Sequence, residues 1–264
     1  MCVFKSQDRE FFEKAVEEAS ISDATRMKKT LEALEKEGIS DEECCRLLDI
    51  LEELLENLDN ARDFQNLNGY QKIIDKLNSS ESKKVKCTCF SLLGTAAQNQ
   101  PIVQKVLVDA KVIPQLMSYV SSVSDMELKT KSFSCVCSIV MGYEDAEKVF
   151  LFNNGLNIIK EIIESELSSV SLQRRALMLL SDLSMRETMF MVVVIDGDEL
   201  QRKFLSKDLI NLLADKYLGS GDIDLKETSI QIVDFVLGLE RRSFELSDVK
   251  DALMKVVIRE VSHL

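Results

Sequence analysis

The chain has 264 residues, 45% of them hydrophobic, so it is long and apolar enough to bury a sizeable core. It carries 33 Lys and Arg residues against 45 Asp and Glu residues, and the resulting net charge of −12 disfavours binding to nucleic acid or to an anionic membrane surface. Because Leu, Lys and Glu are abundant and only two Pro and nine Gly are present, we expect an all-α protein.

The N-terminal segment MCVFKSQDRE lacks the charged stretch and apolar core of a secretory signal. No run of 18 apolar residues occurs in the sequence, so no transmembrane helix is predicted either. These features predict a cytoplasmic protein. The amphipathic pattern of residues 9–37 then predicts N-terminal capping helices.

The main signal is an apolar spacing that recurs five times along the chain. In each copy, a residue i is followed by apolar or small residues at i+4, i+7, i+8 and i+11, which lie on one face of a helix. The copies begin 38, 43, 44 and 53 residues apart, at Leu47, Val85, Leu128, Leu172 and Leu225. Repeats of about 40 residues without a strand pattern predict a helical solenoid of the armadillo or HEAT type.

Each long helix follows a short helix and a second helix. In the segment NQPIVQKVLVDAKVIPQLMSYVSS, Pro101 and Pro114 can each be the first residue of a helix, because the first N–H of a helix has no partner inside it. Gly69 and Gly155 lie at the corresponding bends of the neighbouring segments. Three helices per repeat favour the armadillo type.

An isolated repeat buries only one apolar stripe, so repeats must stack to be stable. We therefore predict one armadillo-like domain over residues 1–264, an armadillo-type α-solenoid wound as a right-handed superhelix. Its repeats occupy residues 40–240, and the apolar spacing of residues 246–262 predicts a C-terminal capping helix. The 53-residue interval contains MFMVVVIDGDEL, residues 189–200, which we interpret as a buried helix followed by an inserted loop.

Motifs for catalysis and for metal binding are incomplete. A Ser or Cys nucleophile needs a base, and the single histidine, His263, lies at the very end of the chain. The GSGD stretch at 219–222 follows a helix and lacks the Lys of a phosphate loop, and DGD at 196–198 lacks the remaining ligands of a calcium loop. We predict no enzyme activity, no cofactor and no metal site.

The cysteines also fail to form a metal site. The C-x-C pairs Cys87/Cys89 and Cys135/Cys137 are two residues apart, which is about 200° of rotation along a helix, so their thiols diverge. We predict that the cysteines are reduced and buried as small hydrophobic residues. The seven positions are Cys2, Cys44, Cys45, Cys87, Cys89, Cys135 and Cys137.

The concave surface of an armadillo solenoid is built by the third helix of each repeat, and there we expect a protein partner to bind. Armadillo proteins that hold basic cargo peptides carry a ladder of Trp and Asn on that surface. This sequence has no Trp, which favours a broad interface of mixed polarity. The predicted partner-binding residues are Asn57, Thr88, Ser91, Thr95, Gln98, Lys131, Ser134, Ser138, Arg175, Met178 and Asp182.

Two stretches, LLENLDNARDFQNLNGYQKII at 54–74 and LLGTAAQNQPIVQKVLV at 92–108, resemble a known family. They are similar to the armadillo-repeat nucleotide exchange factors of Hsp70-class chaperones, the cytosolic Hsp70-binding protein and Fes family, with the endoplasmic Sil proteins as more distant relatives. The resemblance implies binding to the chaperone ATPase domain in the armadillo concavity and faster ADP release, without nucleotide binding or catalysis by the chain itself. The alternative is an armadillo scaffold or adaptor for another protein, since a fold does not determine a function.

Overall fold

The computed structural model describes residues 22–186, 207–219 and 221–243, and in these residues every regular element is a helix. The all-α prediction is confirmed for this part of the chain. The helices are α1 (Asp23–Leu34), α2 (Asp41–Leu55), α3 (Asn60–Asn66), α4 (Gly69–Ser79), α5 (Lys83–Ala97), α6 (Pro101–Asp109), α7 (Val112–Ser122), α8 (Met126–Val140), α9 (Glu144–Phe152), α10 (Gly155–Glu164), α11 (Val170–Ser184), α12 (Lys207–Leu213), which continues as a π-helical turn at Ala214–Leu218, and α13 (Ile223–Ser243).

Contacts within the chain divide it into two compact units, Met1–Ala96 and Ala97–Leu264. In the first unit, α1 packs against α2 and α3, and α3 packs against α4. In the second unit, α11 packs against α8, α10 and α13, and α7 packs against α6 and α8. The predicted organisation as one domain stays a prediction.

Three successive repeats show the predicted order of a short, a medium and a long helix. The short helices α3, α6 and α9 have 7, 9 and 9 residues, and the second helices α4, α7 and α10 have 11, 11 and 10. The third helices α5, α8 and α11 all have 15 residues. The recurring apolar spacing therefore marks the third helix of each repeat.

Side-chain caps help to explain where the third helices begin. Asp125 precedes α8 and accepts hydrogen bonds from the backbone N–H groups of Glu127 and Leu128, at 3.0 and 3.1 Å. Ser169 caps α11 in the same way through the N–H of Leu172. These bonds satisfy N–H groups that have no partner inside the helix. Asp222 caps α13 through the N–H of Leu225.

The predicted core stripe is buried with two exceptions. Leu58 is 61% exposed, so its prediction as a core residue is wrong. The reason is that α2 ends at Leu55 and leaves Leu58 in the following turn. Leu128, in the first turn of α8, is half-buried. The other repeat starts, such as Val85 and Leu172, are buried.

A left-handed residue connects the first two helices of each repeat. Asn68, Lys111 and Asn154 have φ values of 56°, 57° and 69° and stand directly before α4, α7 and α10. Asn adopts this conformation more readily than most residues. The prediction that Pro114 begins a helix is wrong, because α7 already begins at Val112 after this bend. Pro101 is the first residue of α6, as predicted.

Several predictions fall on parts of the chain outside the described residues. These are the helix and loop at 189–200, the C-terminal cap at 246–262 and the portion of the N-terminal cap before residue 22. Within 9–37, the structure confirms one helix, α1.

Candidate partner-binding surface

In the first unit, two predicted residues share one acceptor. Ser91 and Thr95 lie one turn apart on α5, and their hydroxyls donate to Oε1 of Glu52 on α2, at 3.1 and 2.7 Å. All three side chains are half-buried. These bonds connect two third helices, so both hydroxyls already have a partner inside the unit. The sequence analysis did not predict Glu52, which lies five positions after Leu47 and outside the apolar spacing.

The hydroxyls of two other predicted residues donate hydrogen bonds to carbonyls of their own helices. Thr88 donates to the carbonyl oxygen of Lys84 at 3.0 Å, and Ser134 donates to that of Thr130 at 2.7 Å. Ser and Thr commonly make this bond to the residue four positions earlier. Each hydroxyl oxygen still has lone pairs, so towards a partner these side chains can act as acceptors. Ser138 is half-buried further along α8.

In the second unit, α8 and α11 bring two predicted cations onto neighbouring helices. Sγ of Cys137 on α8 lies 3.9 Å from the carbonyl oxygen of Arg175 on α11, which places the two helices side by side. Lys131 and Arg175 are both exposed. Within the described residues neither takes part in an ion pair, whereas the adjacent Arg174 binds Asp222 and Asp224 at 2.5 and 3.4 Å.

Further along α11, Met178 and Asp182 lie on the same side of the helix as Arg175, since residues three and seven positions apart share a face. Met178 is 48% exposed. Asp182 is partly buried and lies 3.5 Å from Nη2 of Arg186. The stripe ends at Met185, which is 74% exposed and was missed by the sequence analysis. Its spacing of seven residues from Met178 is the signal that could have found it.

Asn57 and Gln98 lie in turns after the third helices. Helix α2 ends at Leu55 and α5 ends at Ala97, so the expected place of Asn57 on a helix face is wrong. Its side-chain oxygen instead accepts a hydrogen bond from the N–H of Asp59 at 3.2 Å. Both side chains are exposed, and their role in partner binding stays a prediction.

The described cysteines are packing residues. Cys44, Cys45, Cys87, Cys89, Cys135 and Cys137 are buried and make no disulfide, as predicted, and Cys2 lies outside the described residues. Burial raises the pKa of Cys137 to about 12, so this thiol is a poor nucleophile at neutral pH. Among the described residues, no cluster of His, Cys, Asp or Glu could hold a metal ion, and no helix has the length and apolar character needed to cross a membrane.

Two family models match the sequence. The model described as the SIL1/FES1/HPBP1 C-terminal domain matches residues 60–206, and the model described as nucleotide exchange factor Fes1 matches residues 5–64. Together they include the helices that carry most of the predicted partner-binding residues.

Two curated proteins whose names include FES1 or SIL1 are similar to this chain. The Hsp70 nucleotide exchange factor FES1 of Saccharomyces cerevisiae is 27% identical over 163 residues, which is 60% of this chain and 56% of that protein. The nucleotide exchange factor SIL1 of Xenopus laevis is 26% identical over 163 residues, 62% of this chain and 35% of that protein. The matched region thus spans about half the length or less of these relatives.

Solved structures show the fold. A designed armadillo repeat protein superimposes with a TM-score of 0.63 at 11% identity, over 80% of this chain and 82% of the design. The armadillo repeats only protein of Plasmodium falciparum superimposes with a TM-score of 0.58 at 16% identity, over 89% of this chain and all of that chain. The predicted armadillo-type fold is confirmed.

Proposed function

The chain belongs to the SIL1/FES1/HPBP1 family, and on that premise we propose that it is a nucleotide exchange factor of an Hsp70-class chaperone. The observation that carries the proposal is the match of two consecutive family models over residues 5–64 and 60–206. The relatives named above as Hsp70 nucleotide exchange factors support the same function.

Within each unit, the proposed partner surface is the exposed side of its third helices, and the proposed target is the ATPase domain of the chaperone. This side carries exposed and half-buried polar groups on α5, α8 and α11, a mixture suited to a broad protein interface. The single armadillo-like domain, with capping helices at 9–37 and 246–262, is part of the same proposal.

The exchange factor would act by differential binding. If the chain binds the open, nucleotide-poor ATPase domain more tightly than the closed one, the open state becomes more populated and ADP leaves faster. Linkage then requires ADP to weaken the binding of the chain by the same factor. This mechanism needs no catalytic side chain and no nucleotide site in the chain.

We place this activity in the cytoplasm. The six described cysteines form no disulfide, which suits a compartment that keeps thiols reduced. Fusion of the full chain to a fluorescent protein tests this placement, with diffuse cytoplasmic fluorescence expected and a reticular pattern contradicting it.

Release of a fluorescent ADP analogue tests the function. An Hsp70 ATPase domain from the same organism is loaded with the analogue and mixed with excess ADP and increasing amounts of the chain. We expect the release rate to rise and then saturate. An unchanged rate at micromolar concentrations of a chain that circular dichroism shows to be helical would contradict the proposal. Binding without faster release would instead indicate an adaptor.

A further inference from the structure

Two exposed methionines, Met178 on α11 and Met185 directly after its last residue, belong to the stripe described above. Met178 and Met185 are seven residues apart on one side of the helix and are 48% and 74% exposed. Leu179 and Leu180, immediately after Met178, are fully buried. The core of the second unit is therefore complete without the two methionines, whose unbranched, polarizable side chains adapt easily to an incoming surface.

Between the two methionines, a single arginine lies near two carboxylates of the unit. Asp182 lies between them along the stripe, 3.5 Å from Nη2 of Arg186. Nε of Arg186 also lies 3.7 Å from Oε1 of the buried Glu147 on α9. Arg186 thus lies near both carboxylates, and the side chain of Asp182 is only 17% exposed to a partner.

Two cations beside the methionines lie on the exposed face of α8 and α11. Arg174 is held by Asp222 and Asp224, but Arg175 and Lys131 on the adjacent α8 take part in no ion pair of the described residues. The protein as a whole has a net charge of −12, so two exposed cations on one face favour a partner that brings its own carboxylates.

We propose that this face of α8 and α11 binds an acidic surface of the chaperone with an apolar centre. An aliphatic or aromatic side chain of the chaperone packs between Met178 and Met185, and its carboxylates pair with Lys131 and Arg175. The inference rests on the proposed function and adds to it the chemistry of the partner surface. Buried apolar contacts at the centre of an interface and charge pairs at its rim are the usual arrangement.

The proposed apolar contact at Met178 and Met185 is tested by calorimetry, which measures the affinity of the chain for the nucleotide-free ATPase domain. We expect Met178→Glu to weaken binding roughly 10- to 100-fold, as for a hot-spot residue. The conservative variant Met178→Leu should bind within about twofold of wild type, since the proposed contact needs an apolar side chain of similar size. Leu167→Glu is the matched control, because Leu167 is 86% exposed but lies in the loop before α11.

The association kinetics of the chain and the ATPase domain test the proposed ion pairs of Lys131 and Arg175. Lys131→Glu and Arg175→Glu should mainly slow association and flatten its dependence on salt, because rim charges steer the encounter. The matched charge reversal Lys105→Glu alters an exposed Lys on α6 that pairs with Asp109 and should leave association unchanged within about twofold.

The outcomes separate this inference from the proposed function. If wild type accelerates ADP release and Met178→Glu, Met185→Glu, Lys131→Glu and Arg175→Glu all bind normally, the inference is wrong and the function stands. If wild type neither binds nor accelerates release, both are wrong. Weak binding by Leu167→Glu as well as by Met178→Glu would also overturn the inference, because the effect would then not belong to this face.

Discussion

Gln104 is a buried polar residue whose side chain caps the C-terminal end of a neighbouring helix. It lies on α6 with 1% of its surface exposed, and its Nε2 donates to the carbonyl oxygens of Ser138, Ile139 and Met141, at 3.3, 3.0 and 2.9 Å. These carbonyls belong to the last turn of α8 and to Met141, which directly follows it, where acceptors have no partner inside the helix. The amide therefore joins the first and third helices of one repeat.

Replacing Gln104 by Leu should destabilise the protein by about 2 kcal/mol, because the buried carbonyls lose their donor. Urea unfolding followed by circular dichroism measures the change, and Gln98→Leu at an exposed position is the control. The carboxylate of Gln104→Glu cannot donate while ionised and should cost more than Leu. Equal stability of wild type and Gln104→Leu would show that the three bonds contribute nothing.

The equivalent residue of the next repeat is Glu147, also the fourth residue of its helix and also 1% exposed. A carboxylate can only accept hydrogen bonds, and here a cation, Arg186, lies 3.7 Å away instead. The sequence analysis did not predict either buried polar residue. An isolated Gln or Glu in a short helix looks like a solvent-facing residue, and only the contacts of Gln104 with the end of α8 and of Glu147 with Arg186 show otherwise.

The buried thiols should be unreactive in the native protein. In a Cys2→Ser variant only the six described cysteines remain, and all six are buried. Burial raises the pKa of Cys137 to about 12, so almost none of this thiol is ionised at pH 8. We expect a chromogenic thiol reagent to label none of the six before unfolding and all of them in denaturant. Rapid labelling of any thiol in the native state would contradict this burial.

At the scale of the helices, two positions must be glycine because an aromatic ring lies too close to each for a Cβ atom. Gly69 and Gly155 begin α4 and α10, and a Cβ atom there would meet the ring of Phe64 or Phe150, which lies in the last turn of the preceding short helix. At Gly69 the distance to the ring carbons would be 2.6 Å, well inside van der Waals contact. The sequence analysis placed both glycines at bends, but the partner ring became visible only in the structure.

Gly69→Ala should therefore destabilise the protein by roughly 1 to 3 kcal/mol, the usual cost of overpacking a core. Thermal unfolding measures the loss. Gly219→Ala is the control, because no atom lies within 4 Å of its added Cβ and its φ of −86° suits any residue. Adding Phe64→Leu should recover part of the loss, since residues in contact couple. A lack of recovery would show that the clash is not with the ring.

The apolar periodicity predicted which segments are helices better than it predicted the residues at which those helices begin and end. The apolar stripe identified every third helix, because a buried face repeats along the whole element. Leu58 fitted the spacing but lies beyond the end of α2, and Pro114 fitted the rule for a first residue but lies inside α7. Both errors come from local backbone geometry, such as the left-handed Lys111, which apolar spacing does not report.

At the scale of the whole molecule, the fold class and the family follow from sequence, whereas the partner surface follows only in part. Two motifs and a repeat of about 40 residues were enough to predict an armadillo-type exchange factor. The site prediction rested on a fixed register and so included Met178 but not Met185 or Glu52. Which hydroxyls are already engaged, as at Ser91 and Thr95, depends on contacts between helices.

The central claim, that the chain favours the nucleotide-poor state of the chaperone, is tested most directly by a thermodynamic cycle. Calorimetry gives the dissociation constant of ADP from the ATPase domain with and without saturating chain, and that of the chain with and without saturating ADP. We predict that both constants rise by the same factor, about 5 to 150 for a typical coupling free energy. An ADP affinity that is unchanged by saturating chain would contradict the account.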